Sequence, residues 1–365
     1  MKKILLASMV LVNANTFAQQ DTTTIPSGIA KANPLTFSGY AEAYYSYDFN
    51  KPQNNTRPNF LYNHNRHNEF NVNIAFVKGT YSGEKVRATV VLGAGTYMNA
   101  NYTAEPGTLK NIQEANAGFK IGKKNLWVDA GILASHIGFE SAVGKDCWNL
   151  TRSLVADNTP YFEGGARINY TSDNGKLFLS GLAINGWQRI TRVDGNSLMS
   201  FGTQIQYKPS STITLNYSTF IGTDKPDSAR LNRLYHNFYG IFQLTRKFGI
   251  ITGFDIGTEQ KTKGSSNRNT VYTPVLIAKY AVNDNWAIAA RGEYYSDENG
   301  VLIATGTANG FKTTGVSLNV DYAPSSNMLF RIEARRLNSK DNIFTKGSAI
   351  SNTNSFITTA FALSF

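Results

Sequence analysis

Residues 327–338 read NMLFRIEARRLN, and apolar and charged side chains alternate along them. Positions 328, 330, 332 and 334 are apolar, while Arg331, Glu333 and Arg335 take the positions between them. Successive side chains of a β-strand point to opposite faces, so this pattern predicts a strand with one apolar and one charged face. Segments 84–97 and 285–296 repeat it, and in these strands charges are expected on one face only.

Fifteen further segments of similar length follow the same logic, and tight polar turns alternate with longer polar connections between them. In segment 67–80, for example, Phe70, Val72, Ile74 and Phe76 are expected to share the apolar face. The sixteen predicted strands are 35–48, 67–80, 84–97, 111–122, 125–135, 161–171, 176–187, 199–208, 212–222, 234–245, 248–259, 270–281, 285–296, 312–323, 327–338 and 354–365.

An even number of hairpin-connected strands matters physically. A sheet in hydrocarbon has no water to satisfy its edge N–H and C=O groups, so it must close on itself. We therefore predict an all-β fold, a transmembrane antiparallel up-and-down β-barrel of about sixteen strands. Its seven tight turns would face the periplasm and its eight long loops the exterior.

Composition excludes several other classes. Of the 365 residues, 17% are charged and 12% are aromatic, which does not fit a disordered chain. A single cysteine excludes a disulfide scaffold. The remaining alternative is a soluble all-β protein, since a forty-residue period also occurs in WD40 propellers. Strands of ten to fourteen residues and the lack of a recurring Trp-Asp signature argue against it.

The first residues resemble an export signal. Two lysines precede a short apolar run from Ile4 to Val12, and small residues end it at Ala18. We predict a signal peptide at 1–18, a flexible periplasmic leader at 19–34 and an outer-membrane barrel at 35–365. An uncleaved anchor is the alternative. Without residues 1–18 the chain keeps 34 basic and 25 acidic side chains, a formal charge of +9.

The third long connection, residues 136–160, is about ten residues longer than the period requires. It is too apolar and too mixed in charge for a solvated loop tip, so an ordered, partly buried loop is expected. Folded inward, it would narrow the pore, and its charges would form a selectivity barrier. Packing on the barrel rim as a lid is the alternative. The candidates for the pore constriction are His136, Glu140, Lys145, Asp146 and Arg152.

Charges on the face opposite the apolar one are expected to line a wet lumen. Some of them must pair across strands to hold the wall. Both signs are present, which suits small polar solutes, and the positive balance permits a mild preference for anions. The pore-lining candidates are Glu42, Glu69, Lys85, Arg87, Glu114, Arg167, Arg291, Glu293, Arg331, Glu333 and Arg335.

Five stretches together resemble one known family. They are FSGYAEAYYSYDF at 37–49, NHNRHNEFN at 63–71, SHIGFES at 135–141, TRS at 151–153 and NGWQRI at 185–190. They are similar to the OmpL-like family of β-barrel porins over nearly the whole chain. The resemblance implies an outer-membrane porin of a Gram-negative bacterium, and it carries over no catalytic or binding residue.

The sequence gives little support for enzyme activity or for a metal-binding site. His136 follows Ser135, and adjacent strand residues point to opposite faces, so the pair is not expected to react together. His64 and His67 would supply two imidazoles to a metal, but no third ligand is near in sequence. Cys147 is expected to be a small buried residue. We predict no enzyme activity and no cofactor.

Two classes of function remain. The first is a porin for passive diffusion of small polar solutes or ions through a water-filled, loop-constricted pore. The second is a barrel plugged by its third loop that acts as a binding or assembly partner at the cell surface. The expected partners are outer-membrane lipid and small polar or anionic solutes, with no nucleic acid. Analogy alone favours a homotrimer.

Overall fold

The computed structural model describes residues 34–365, which form eighteen strands and two short α-helices. The helices are α1 (Thr96–Asn101) and α2 (Leu154–Asp157). The strands are β1 (Leu35–Asp48), β2 (Phe70–Ser82), β3 (Val86–Ala94), β4 (Ile112–Lys120), β5 (Leu126–Ala134), β6 (Phe162–Thr171), β7 (Leu177–Ile184), β8 (Ser200–Ser210), β9 (Ile213–Gly222), β10 (Arg233–Gln243), β11 (Phe248–Gln260), β12 (Arg268–Ala281), β13 (Trp286–Asp297), β14 (Phe311–Ser325), β15 (Met328–Ser339), β16 (Phe344–Lys346), β17 (Ala349–Ser351) and β18 (Thr353–Ser364).

Sixteen of these strands close an antiparallel barrel, which confirms the predicted fold. Each strand pairs with its neighbours in sequence, and β1 closes the barrel by pairing with β18. Seven tight turns lie at one end of the barrel, here called the turn end, and eight longer connections lie at the other, the loop end. The strands β16 and β17 form a separate hairpin in the last long connection. The sequence pattern did not indicate that hairpin.

The exterior of the barrel is apolar because alternate residues of each strand point outward. On β3 the exposed side chains include Val86, Val90 and Leu92, and on β15 they include Phe330 and Ile332. Exposed apolar side chains continue around the wall, as a lipid-facing surface requires. Aromatic rings cluster near the turn end, where Trp286 and Tyr322 lie 4.6 Å apart between centroids.

The predicted faces of β2 are wrong for half of the strand. The pairing with β1 shifts register between Glu42 and Ala43, so that Asn73 is an extra residue on β2. A bulge of one residue reverses the alternation beyond it. Phe70 and Val72 therefore point outward as predicted, whereas Ile74 is fully buried and faces the lumen.

Three other sequence-based expectations fail at strand ends. Segment 84–97 is shorter than predicted, because the chain turns into α1 after the barrel strand ends at Ala94. Glu69 and Lys85 lie just outside β2 and β3. Charges are also not confined to one face, since Arg336 has the parity of the apolar residues of β15 and is exposed.

The predicted signal peptide at 1–18 and almost all of the predicted leader at 19–34 lie outside the described residues. No helix within residues 34–365 is long and apolar enough to cross a membrane.

Candidate functional site

The connection between β5 and β6, residues 135–161, lies inside the barrel and is called the inner loop below. Its backbone is bonded to carboxylates on the opposite wall. The amide of Thr151 donates to Glu333 Oε2 at 2.5 Å, and that of Leu154 donates to Glu293 Oε2 at 2.6 Å. Both carboxylates are buried, so these charged groups are paired rather than hydrated.

Three arginines of the same wall bind carbonyl groups of the inner loop. Arg291 donates to the Thr151 carbonyl at 2.7 Å, and Arg335 donates to the Arg152 carbonyl at 2.8 Å. Arg331 donates to the Gly144 carbonyl at 2.7 Å. These bonds, together with those to Glu293 and Glu333, hold the inner loop on β13 and β15. We call the four side chains Arg291, Glu293, Glu333 and Arg335 the latch.

The latch charges compensate one another. Arg291 Nη2 lies 2.9 Å from Glu333 Oε1, and Arg335 Nη2 lies 2.6 Å from Glu293 Oε1. Buried ion pairs persist only where such partners also satisfy the remaining donors and acceptors. Here the inner-loop backbone takes up some of the donors and acceptors that the ion pairs leave open, whereas Nε of Arg291 and Nε of Arg335 make no hydrogen bond.

Glu140 and Arg152 hold the inner loop's own shape. Arg152 is fully buried and donates to the carbonyls of Ser141 at 2.6 Å and Leu150 at 2.5 Å. Glu140 accepts a hydrogen bond from the Ser153 amide at 2.9 Å. Both constriction candidates therefore contact mainly protein groups of the loop itself.

His136 is fixed between two strands. Its Nδ1 lies 2.9 Å from Glu163 Oε1 and its Nε2 lies 2.7 Å from the Thr219 carbonyl. Burial disfavours the charged ring, but Glu163 raises its pKa above the usual value. Ser135 also donates to Glu163, at 3.3 Å, because alternation ends with β5 at Ala134. The two side chains thus share a partner, and the ring nitrogens face Glu163 and Thr219 rather than the Ser135 hydroxyl.

The other constriction candidates lie near the β1–β18 seam. Lys145 Nζ donates to Ser364 Oγ at 2.6 Å. Asp146 is half-buried in the short 3-10 turn Gly144–Asp146. Cys147 is buried, and burial raises the pKa of its thiol to about 12.

A second connection, residues 49–69, also folds inward and is called the first loop. Its His64 lies 2.8 Å from Glu42 on β1, and burial lowers the pKa of the imidazole. Glu42 further accepts from Tyr40 at 2.7 Å and from Asn73 at 2.8 Å. Glu42, a pore-lining candidate, is thus enclosed by protein groups.

The first loop packs on the inner loop. Asn63 donates to Asp157 Oδ1 at 2.8 Å, and Asn158 donates to the Phe60 carbonyl at 3.1 Å. Burial raises the pKa of Asp157 to about 7. Sequence reasoning missed this contact, although the apolar pair Phe60 and Leu61 within a polar loop carries the same signal that identified the inner loop.

Apolar side chains fill much of the loop end. One buried cluster joins the inner loop residues Ile137 and Leu154 to Phe60 of the first loop and to wall residues such as Phe220 and Tyr235. Two further clusters pack inner loop residues against β2 and against β10 to β12, and the second extends toward the turn end, where Ile251 lies three residues from the start of β11. At the loop end, much of the lumen therefore has the character of a protein core.

The part of the turn end formed by β3 to β6 differs, because charged groups there are partly open to water. Arg87 Nη2 lies 2.6 Å from Asp129 Oδ2, and Arg167 Nε lies 3.2 Å from the same oxygen. The side chains of Arg87 and Arg167 are 34% and 25% exposed. Lys120 is half-buried and paired across the strands with Trp127, so it faces the same side. We call this group the basic vestibule.

The remaining pore-lining candidates are placed less centrally. Glu114 is half-buried on β4. Glu69 forms an ion pair with Arg66 at 2.9 Å near the loop end, and Lys85 is exposed at a tight turn. Within residues 34–365 no group of three His, Cys, Asp or Glu side chains is placed to hold a metal ion. His64 and His67 bind different partners, Glu42 and the Asp48 amide.

A sixteen-stranded barrel with an apolar exterior and a loop bonded across its charged lumen defines an outer-membrane protein of the porin type. The family model "Putative beta-barrel porin-2, OmpL-like" matches residues 34–365. The chain therefore belongs to this family, and family and fold imply the outer membrane of a Gram-negative bacterium.

Solved structures share the fold at low identity. The anion-selective porin from Comamonas acidovorans is 10% identical with a TM-score of 0.60, covering 91% of this chain and 99% of that one. The outer membrane channel DcaP of Acinetobacter baumannii is 12% identical with a TM-score of 0.60, covering 91% and 97%. OmpF of Salmonella typhi, in complex with daunomycin, is 11% identical with a TM-score of 0.58, covering 91% and 97%. No curated protein sequence matches the chain.

Proposed function

We propose that the protein is a porin for passive diffusion of small polar solutes, with a preference for anions, and that the inner loop sets the width of the path. The observation that carries the proposal is the basic vestibule, where Arg87 and Arg167 both pair with Asp129 and Lys120 lies on the lumen face of the neighbouring strand β4. Both arginine side chains retain contact with water, as does Lys279 on β12, whose side chain is 31% exposed. A local surplus of positive charge in a water-filled cleft raises the concentration of anions there.

The inner loop supplies the constriction in this proposal. Its position is fixed by the latch and by the contacts of His136 and Arg152, so its backbone is held in place across the lumen. Solutes would pass between the basic vestibule and the side of the inner loop facing β3 to β6. The name of the similar Comamonas porin, which is anion-selective, agrees with the expected sign of selectivity.

A second candidate function is a plugged barrel that acts as a binding or assembly partner at the cell surface. The observation in its favour is the apolar packing of the loop end, where two inward-folded loops bury Phe60, Ile137 and Leu154 against the wall. Such packing is typical of a closed core, and conduction would then require the inner loop to move.

Planar-bilayer recordings test the first function. We expect the wild-type protein to give stable conductance steps with a reversal potential on the anion-selective side in a salt gradient. The R87Q/R167Q variant should shift that potential towards cations, whereas K261Q/K263Q, which removes two cations at the loop end, should shift it much less. Equal shifts for both variants would contradict the role of the vestibule.

The two functions predict different results for one further variant. If folded wild-type protein is silent but a variant with residues 137–159 replaced by a short Gly-Ser linker conducts, the plugged barrel is the correct function. If the wild type conducts and the deletion merely raises conductance, the porin is correct. Detergent-resistant migration of both proteins establishes that the barrel is folded.

We also propose a homotrimer. One solved structure of the fold, OmpT of Vibrio cholerae, is a trimer form. On this chain an exterior groove of about 430 Å³ crosses the β1–β18 seam, with Ala43 and Thr359 between the rings of Phe70 and Phe330. Small residues between large ones provide a surface on which the wall of a second barrel can pack. Analytical ultracentrifugation in density-matched detergent tests this, and a monomer at micromolar concentration contradicts it.

A further inference from the structure

The side chain of one arginine, Arg336, lies on the outer, lipid-facing side of the barrel wall. Arg336 on β15 is exposed and has the parity of Phe330 and Ile332, whose side chains meet lipid. Its cross-strand neighbour on β14 is Val316, which is 59% exposed. Among the described residues its guanidinium has no ion-pair or hydrogen-bond partner.

The depth of Arg336 makes this position costly. It lies six residues along β15 from Phe330, and at roughly 3.3 Å per residue and a tilt of about 45° this is roughly 14 Å above the aromatic rings of the turn end. The apolar band of such barrels is about 25 Å tall, so the Cα atom of Arg336 lies within it. A cation there is destabilising unless its head reaches an anion or water at the interface.

A basic pocket lies directly above Arg336. It has a volume of about 560 Å³, and its lining includes Lys312, Lys340, Tyr272 and Tyr294. The amide of Lys340 donates to the Lys312 carbonyl at 2.8 Å, so the two lysines are neighbours on β14 and the end of β15. Lys312 lies ten residues from Tyr322, roughly 23 Å by the same estimate, which places it at the outer boundary of the apolar band.

The charges of this surface do not cancel. Lys312 Nζ lies 2.7 Å from Glu298, whose side chain is 56% exposed. Lys340 and Arg336 add two cations, and Asp341 next to Lys340 adds a second carboxylate, so three cations face two carboxylates. Arg336 and Lys340 are four positions apart, roughly 13 Å of strand, so one anionic group lying between them is within reach of both side chains.

We propose that Arg336, Lys312 and Lys340 bind a phosphate group of a phosphorylated glycolipid in the outer leaflet. Lysine and arginine are the usual phosphate ligands, and a charge-assisted bond would offset the cost of Arg336 in the apolar band. The rings of Tyr272 and Tyr294, with the hydroxyl of Thr314, offer a surface for sugar. The acyl chains would lie on the apolar wall below Val316.

This site rests on the outer-membrane location of the barrel and is independent of the proposed pore. The loop end is the end that faces the outside of the cell in such barrels, and the leaflet on that side contains phosphorylated glycolipid. The glycolipid is favoured over a glycerophospholipid because the pocket adds aromatic and hydroxyl groups to its cations. A phosphatidylglycerol arm of the experiment separates the two lipids.

Native mass spectrometry of the purified barrel in detergent tests the proposal, with bis-phosphorylated lipid A as the probe. We expect one lipid A molecule to be retained per chain at micromolar concentration. The R336Q/K312Q/K340Q variant should bind at least tenfold more weakly. The control K123Q/K124Q/R246Q removes three exposed cations at the turn end and should bind within twofold of the wild type.

Two further probes complete the test. Lipid A stripped of its phosphates should bind the wild type as weakly as bis-phosphorylated lipid A binds the triple variant. Unchanged binding by the triple variant, or equal retention of phosphatidylglycerol, would overturn the proposal. Conductance of the triple variant should equal that of the wild type, so failure of this site is distinguishable from failure of the pore.

Discussion

Neutralising the two carboxylates of the latch is the most direct perturbation of the inner loop. In the E293Q/E333Q variant the shape of both side chains is kept while their charge is lost. Glu293 and Glu333 each accept one hydrogen bond from an inner loop amide, at 2.6 Å and 2.5 Å. A hydrogen bond to a charged group contributes roughly 1.5–3 kcal/mol, so the pair contributes about 3–6 kcal/mol to docking of the loop.

Glutamine still accepts a neutral hydrogen bond of roughly 0.5–1.5 kcal/mol, so the two substitutions remove about 2–3 kcal/mol of this free energy. That loss corresponds to a shift of roughly 30-fold to 150-fold in the ratio of docked to released inner loop. The shift is larger if Arg291 and Arg335 remain charged in the lumen without their partners. We therefore expect the variant to show a larger and noisier conductance than the wild type in planar bilayers. An inner loop that leaves the wall no longer narrows the path.

Limited trypsin digestion gives a second measurement of the same release. Arg152 and Lys145 are trypsin sites inside the inner loop, and the docked loop protects them. The variant should be cut there while the barrel stays intact. The matched control is E259Q, which neutralises a buried carboxylate paired with Arg233 at 2.7 Å and away from the inner loop. If E293Q/E333Q conducts and resists trypsin as E259Q does, the latch does not hold the loop.

Three smaller predictions follow from the same geometry. Docking of the inner loop should weaken as pH rises, because the folded pKa of Asp157 is about 7, above its usual value near 4. The contribution of Asp157 to docking of the inner loop is fully present below about pH 4 and is lost as the pH rises past 7. Hydrogen exchange of the inner loop amides measures this loss. The D157N variant should show no such dependence on pH. Cys147 should resist maleimide at neutral pH in folded protein and react in E293Q/E333Q, since burial protects the thiol; equal labelling of both would contradict this. Gly144→Ala should loosen the inner loop, because the added Cβ would overlap the buried carboxylate of Glu42, and wild-type protection from trypsin would refute that.

Much of the fold could be predicted because alternation is a local property. The period of two in residues 327–338 fixes a strand and its two faces without knowledge of the partners, and hydrocarbon on one side requires closure. The same argument fails at Asn73, where one extra residue reverses the faces of Ile74 and Phe76. A bulge is set by the pairing of two strands, and the pattern of one strand alone does not contain it.

The sequence predicted which residues form the site, but it did not predict which groups these residues contact. The apolar and charged character of residues 136–160 indicated an ordered loop, and alternation placed Glu293, Glu333 and Arg335 in the lumen. The bonds between them depend on how a chain far away in sequence crosses the barrel, which no local pattern encodes. The latch binds mostly backbone groups of the inner loop, and every residue has these groups. The side-chain charges of the inner loop therefore do not indicate where the latch binds it.

Two regions of the lumen, the packed loop end and the basic vestibule, follow different physical rules, and we expect substitutions in them to have different effects. At the loop end, apolar residues of two loops are buried against the wall, so substitutions there act through packing and loop docking. In the basic vestibule, Arg87 and Arg167 keep contact with water, so we expect substitutions there to act on solutes through charge and to leave packing largely intact. In the proposed porin, width and selectivity are therefore set by different residues. Variants of the latch should change conductance with little effect on the preference for anions, whereas variants of the basic vestibule should do the reverse.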